Sequence, residues 1–165
     1  MAPRVTQRTT QWLTEPEMRA WRALIQVTTG VLGVLDNELQ AEHGLSLGEY
    51  EVLVHLSEEP DQSLRMTDLA GRLHLSPSGI TRRIDGMQRA GLVERKQCPS
   101  DRRGSNAVLT DEGLRVLQEA APTHVRGVRA HFIDQLSARE IASLASALTS
   151  VQVDPEAASG SCDDK

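Results

Sequence analysis

Two long amphipathic stripes bracket a short, densely patterned centre. Met18, Trp21, Ile25, Thr28, Leu32, Leu35 and Leu39 recur at alternating steps of three and four, which predicts one helix over 16–42. Such a helix spans about 40 Å at 1.5 Å per residue, more than a small domain's own core requires. Its stripe is a heptad-like seam of roughly three heptads. Gly30 and Gly33 each lower its intrinsic helicity by up to about 1 kcal/mol, so packing must hold it. The second stripe is Leu114, Leu117, Ala121, Val125, Val128, Phe132 and Leu136. Thr110 is placed to cap that helix, with Asp111 and Glu112 at its positive end. Pro122 falls inside it and predicts a kink without an interruption. Ser137 and Glu140 form a capping box, with Leu136 and Ile141 as its staple, for a last helix carrying Ile141, Leu144, Ala145 and Leu148. The stripes either wrap one chain's core or pack against a second copy. The length of the seam favours self-association, through Trp21, Ile25, Val128, Phe132, Leu136, Leu144 and Leu148.

The centre has shorter periods. His43-Gly44 ends the first helix. Ser46 and Glu49 form a capping box, flanked by Leu45 and Tyr50 as a staple, for a helix through Val52, Leu53 and Leu56 that stops near Pro60. Leu64-Arg65-Met66 is a candidate minimal strand. Thr67 is the expected N-cap of the next short helix, with Leu69, Ala70 and Leu73 inward. After the turn at His74-Leu75, Ser76-Pro77 is an N-cap hydroxyl followed by proline at the first helical position. Ile80, Ile84 and Met87 then form a packed stripe, with Ser78, Thr81, Arg82 and Asp85 opposite. Gly91 closes that helix. LVERK and NAVLT read as two strands joined by the turn-rich, basic tip CPSDRRGS.

A helix-turn-helix followed by a basic hairpin is a winged helix, which can place its second helix in the major groove and its wing on flanking backbone or minor groove. The expected class is mainly α (α+β winged helix). A winged helix-turn-helix lobe spans 45–110, and a helical dimerisation domain is built from 16–44 and 111–150. A flexible arm occupies 1–15 and a disordered tail 154–165.

Charge sharpens this picture. Residues 65–104 hold nine cations and four anions, a net of +5, whereas the rest of the chain holds nine cations and nineteen anions, a net of −10. An acidic whole therefore conceals a basic patch, and the local value is the one that meets DNA. With two Trp, one Tyr and one Phe, aliphatic side chains must fill the core, which suits helix packing. No apolar run approaches the ~20 residues of a membrane span, and the first residues lack the apolar middle of a signal peptide. No membrane association and a cytoplasmic location are expected. Cys98 and Cys162 suggest no disulfide framework. Phosphate-binding glycine loops, HExxH, GxSxG and CxxC are absent from the sequence, and neither cysteine pairs with a histidine at a metal-ligand spacing. An enzyme, a metal site or a required cofactor is therefore not expected.

The stretch DLAGRLHLSPSGITRRIDGMQRAGLVER and the wing DRRGSNAVLTDEG resemble the DNA-binding core of the MarR family of bacterial transcriptional regulators. Asp101 and Arg103 stand at that family's Asp-x-Arg positions, and the likeness runs from about Glu17 to about Leu148. The resemblance implies a homodimer with interlocked termini and two winged lobes, and hence a pseudo-palindromic operator on double-stranded DNA with half-sites about one helical turn apart. By analogy with winged-helix docking, Ser78, Thr81 and Arg82 are the candidates for major-groove contacts, with Arg82 foremost because arginine reads guanine O6 and N7. Ser76 and Arg83 are candidates for phosphate, Arg83 alternatively for an ion pair on the helix surface. Arg102 and Arg103 belong to the cationic wing, Arg103 at the minor groove. Asp101 holds an arginine or the wing backbone in place, or is a plain turn residue.

The resemblance also implies a repressor released by a small aromatic or phenolic acid, acting by population shift. Trp21, Tyr50 and His55 are the pocket candidates, with Arg22 as carboxylate partner; each also has a plain structural reading as core, staple or surface. A thiol-based redox-sensing regulator using Cys98 is an alternative, since Arg95, Lys96 and Arg102 lie near it in sequence. A winged-helix protein-interaction module is another. The cationic face of Arg82, Arg83, Arg102 and Arg103 argues against the latter, which has no use for it.

Overall fold

The computed structural model describes residues 10–98 and 101–151, the side chains of residues 98 and 101–103 excepted. Helix α1 (Glu15–His43) opens with Glu17 reaching back to accept from the Thr14 amide at 2.7 Å. It ends at Gly44, whose φ of 63° is the left-handed conformation that glycine adopts without a Cβ penalty. There follow α2 (Leu47–Ser57), β1 (Ser63–Arg65), α3 (Met66–Arg72), α4 (Pro77–Arg89), β2 (Val93–Cys98), β3 (Asp101–Leu109) and α5 (Asp111–His131). A single 3₁₀ turn at Ile133–Gln135 leads into α6 (Ala138–Thr149). The strands form an antiparallel sheet in the order β1-β3-β2, with Leu64 and Arg95 flanking Ala107. The expected minimal strand at 64–66 is thus present, one residue earlier.

The core lies in the lobe. Leu53, Leu56, Leu69, Ile80, Ile84, Met87 and Val93 are fully buried, together with Leu39 from the end of α1. Each such side chain contributes about 1.5–3 kcal/mol by leaving water. The capping boxes at Ser46–Glu49 and Ser137–Glu140 both form. Thr110 caps α5 by accepting from the Gly113 amide at 2.9 Å, and it donates to Leu92 O at 2.9 Å.

Two sequence expectations are corrected. Thr67 does not cap α3: β1 runs straight into the helix, Arg65 takes the N-cap position, and the Thr67 hydroxyl donates to Asp68 instead. The inward face of α5 also differs in part from the predicted stripe: Leu117 is buried and Leu114, Ala121 and Val128 pack on the core, but small residues complete the face and Val125 does not join it. Gly113, Leu117, Ala120, Thr123 and Gly127 are buried, while Val125 is 55% exposed. Small residues win there because α1 approaches closely: a methyl on Gly127 would overlap Glu38 and stand 2.6 Å from Leu35 Cδ2. Polar contacts bind the same seam, Glu42 accepting from Thr123 at 2.8 Å and from Arg126 at 2.7 Å, and His131 meeting Glu38 at 2.7 Å. The helix passes Pro122 without a break and stops at His131, short of the predicted stripe's end, where Phe132 turns away at φ −140°.

From Arg19 to Gly30 every residue of α1 is exposed, and Val31 is the first apolar side chain of that stretch to pack on the chain's own core. Trp21, Ile25 and Leu32 are 54%, 48% and 45% exposed, and of the predicted seam only Leu35 and Leu39 are buried. Helix α6 buries no residue, and Leu148 is 46% exposed. Val128, by contrast, packs on the chain's own core, and Phe132, Leu136 and Leu144 are half-buried.

Candidate nucleic-acid interface

Helix α4 is held at its start by Ser76, whose hydroxyl accepts from Gly79 N at 3.1 Å, with Pro77 at the first helical position. Ile80, Ile84 and Met87 anchor one side in the core, so Ser78, Thr81, Arg82 and Asp85 must face solvent, and all four are exposed. The Thr81 hydroxyl donates to Pro77 O at 2.8 Å, and the Ser76 and Ser78 hydroxyls lie 3.2 Å apart. Asp85 is paired with Arg95 of β2 at 3.1 Å, which ties the helix to the hairpin and removes an anion from the exposed face. Arg82 has no hydrogen bond or ion pair among the described residues. Its guanidinium is therefore available to a partner, at the centre of the face that the sequence singles out.

Several other cations of the basic segment are engaged. Arg72 pairs with Glu59 at 2.7 Å, Lys96 with Glu94 at 3.3 Å, and Arg89 donates to Asp85 O at 3.1 Å. Arg83, expected on phosphate, turns the other way and donates to Gly48 O of α2 at 3.3 Å. Strands β2 and β3 build the wing, with a register irregularity between Gln97 and Cys98. The roles expected of Asp101, Arg102, Arg103 and Cys98 fall on side chains outside those described.

The four residues expected to line an effector pocket are not brought together. Trp21 and Arg22 are exposed on the N-terminal half of α1. Tyr50 and His55 are on α2, whose first amide meets Asp36, and fifteen residues of helix put Trp21 about 22 Å from Asp36. His55 lies 4.0 Å from Glu58. A groove of about 450 Å³ instead runs along α1 to the end of α5, walled chiefly by Val27, Val31, Val34, Phe132 and Leu136, and none of the four candidates lines it.

Tyr50 stacks on His124 of α5 with ring centroids 4.5 Å apart, joining lobe to helical arm. Burial pushes the Tyr50 hydroxyl's pKa up. It pushes the His124 imidazole down, against the opposing charge of Glu51, and His124 Nδ1 is buried without a hydrogen-bond partner among the described residues. Because the folded ring resists protonation, the unfolded chain binds more protons below about pH 6.5, and stability falls as pH drops through that value. The carboxylates of Glu17, Glu42, Glu112 and Glu140 are held below their usual range and act only at lower pH. Melting temperature is expected to fall between about pH 7.5 and pH 5.5, and His124→Gln to flatten that fall. Thermal melts of both proteins check this; parallel curves would remove His124 as the cause.

Comparison with known proteins gives a consistent picture. The family model described as the MarR family matches residues 45–105. The crystal structure of AbsC, a MarR family transcriptional regulator from Streptomyces coelicolor, is 43% identical, covering 84% of this chain and 93% of that one with a TM-score of 0.78. Sco3205, a MarR family transcriptional regulator from the same organism in complex with DNA, is 37% identical, covering 86% and 89% with a TM-score of 0.81. The HTH-type transcriptional repressor YetL of Bacillus subtilis (strain 168) is 34% identical over 90 residues, which is 54% of this chain and 54% of YetL. The match thus spans about half the length of that relative. No helix among the described residues is long and apolar enough to cross a membrane.

Proposed function

Because this chain belongs to the MarR family of transcriptional regulators, we propose that it is a homodimeric repressor that reads a pseudo-palindromic operator with α4. The family's members are non-enzymatic. The observation that carries the reading is the face of α4, where the anion Asp85 is neutralised by Arg95 while Arg82 stands exposed and, among the described residues, unpaired. The exposed seam of Trp21, Ile25 and Leu32 supports a two-fold partner, since apolar helix faces of this length belong against another surface. The reading includes release by a small aromatic or phenolic acid that favours a lobe spacing unable to span adjacent grooves.

The test is binding to promoter DNA flanking the protein's own gene across a salt series. Two chains are expected per duplex, with a footprint of two-fold symmetry and log K falling by about 0.9 per phosphate neutralised for each tenfold rise in salt. Absence of binding to any duplex at low salt would overturn the reading and direct the search to protein partners.

A further inference from the structure

The first turn of α2 is gripped from two sides. From α1, half-buried Asp36 accepts a hydrogen bond from Leu47 N at 2.7 Å. Leu47 is the first residue of α2, so its amide is one of those that no carbonyl of its own helix can satisfy. A carboxylate there also meets the positive end of the helix. From α4, Arg83 Nη1 donates to the carbonyl of the next residue, Gly48, at 3.3 Å. A methyl built on Gly48 would stand 2.6 Å from Arg83 Cζ, Nη1 and Nη2 alike. The guanidinium therefore lies flat across the glycine Cα, and any side chain at position 48 would displace it.

This contact is directional where the apolar anchorage of α4 is not. Ile80, Ile84 and Met87 hold α4 by burial, which depends on area and is indifferent to small rotations. An N–H aimed at a carbonyl weakens steeply when misaligned. Arg82 is adjacent to Arg83, so a roll of α4 that lifts one guanidinium off Gly48 also swings the other away from its target.

We propose that Arg83, seated on Gly48, is a positioning residue that sets the roll of α4 for base reading, and that Asp36 extends this grip to α1. Asp36, the first turn of α2 and Arg83 then form one clamp from the helical arm to the DNA-facing helix. The inference rests on the reading of α4 as that helix.

The test uses the full chain, a duplex that the wild type selects from a random-sequence library, and an unrelated duplex of equal length. Arg83→Ala is expected to weaken the selected duplex roughly tenfold, with the unrelated duplex and the salt slope unchanged. Arg83→Lys keeps the charge but loses the planar group, and is expected to behave like Arg83→Ala. Gly48→Ala is expected to reproduce the loss, and the Gly48→Ala/Arg83→Ala pair to add nothing, since both remove one contact. If Gly48→Ala does not fold, Arg83→Lys carries the test.

A salt slope shallower by about one, with both duplexes weakened alike, would make Arg83 a phosphate contact and overturn the proposal. Equal weakening of both duplexes at unchanged slope would reduce it to a fold-stabilising residue and overturn it too. If the wild type selects no duplex, the reading of α4 fails first and the clamp with it; if it selects one, only the clamp is at stake.

Discussion

Arg82→Ala is expected to cost about 1–3 kcal/mol of discrimination between the operator and its variants, the usual worth of a good arginine–guanine contact. The loss should be concentrated at one base pair in each half-site. Binding to unrelated duplexes and the slope of affinity against salt should hardly change, because a base contact releases no counterions. The side chain is suited to this role by what it lacks: it is exposed and makes no ion pair among the described residues, so no intramolecular partner must be given up on binding. Its base, meanwhile, is set by the Ile80, Ile84 and Met87 anchorage. Competition binding with single-base operator variants is the check. Uniform weakening across all sequences would reassign Arg82 to the phosphate backbone.

Gly113→Ala should destabilise the protein by about 1–3 kcal/mol, the range for overpacking a filled site. This sign is opposite to the helix-propensity expectation, which favours alanine over glycine within a helix by up to about 1 kcal/mol. The reversal comes from where the helix begins. A Cβ on Gly113 would overlap the Leu92 carbonyl oxygen and stand 2.9 Å from Leu109 Cδ1. That carbonyl cannot step aside cheaply, since it accepts from Thr110 N at 3.2 Å and from the Thr110 hydroxyl at 2.9 Å. For a chain of this size each kcal/mol corresponds to about 2–4 °C in melting temperature. A variant that melts at or above the wild-type temperature would mean that α5 does not need this close approach.

Much of the lobe was legible because its signals are local. The Ser76-Pro77 start, the Ser46–Glu49 box and the Ile80–Ile84–Met87 stripe each lie within a few residues, and each governs its own helix. What escaped was set by distant partners or by small side chains. Hydrophobic periodicity finds Leu117 on the inward face of α5, but it weights bulk, so it includes exposed Val125 and passes over Gly113, Ala120, Thr123 and Gly127. The seat of Arg83 on Gly48 joins residues 35 apart in sequence, and nothing near Arg83 announces it. Glycine at the second position of α2 is the sole local clue, intelligible only once the helices are packed. Thr67 reads as a cap in the sequence, but a strand and a helix abut there with no intervening loop to hold one. Trp21, Arg22, Tyr50 and His55 had suitable chemistry, but they belong to separate parts of two helices.

The helical arm is a hairpin split by the lobe. His43 reaches Thr123 across 80 residues, and His131 reaches Glu38 across 93. For a floppy loop the cost of such closure grows only by about 0.6 kcal/mol per doubling of length, but a folded lobe is a rigid spacer whose exits matter more than its length. Those exits are Gly44, left-handed at φ 63°, and Thr110, fastened to Gly91 O at 2.7 Å. One residue inserted within α1 beside Gly44, or within α5 beside Thr110, would turn the face beyond it by about 100°, at 3.6 residues per turn. Residues added at the wing tip would turn neither. The two junctions therefore fix the phase of the arms: a single residue inserted within α1 beside Gly44 would present a different face of that helix to whatever covers it.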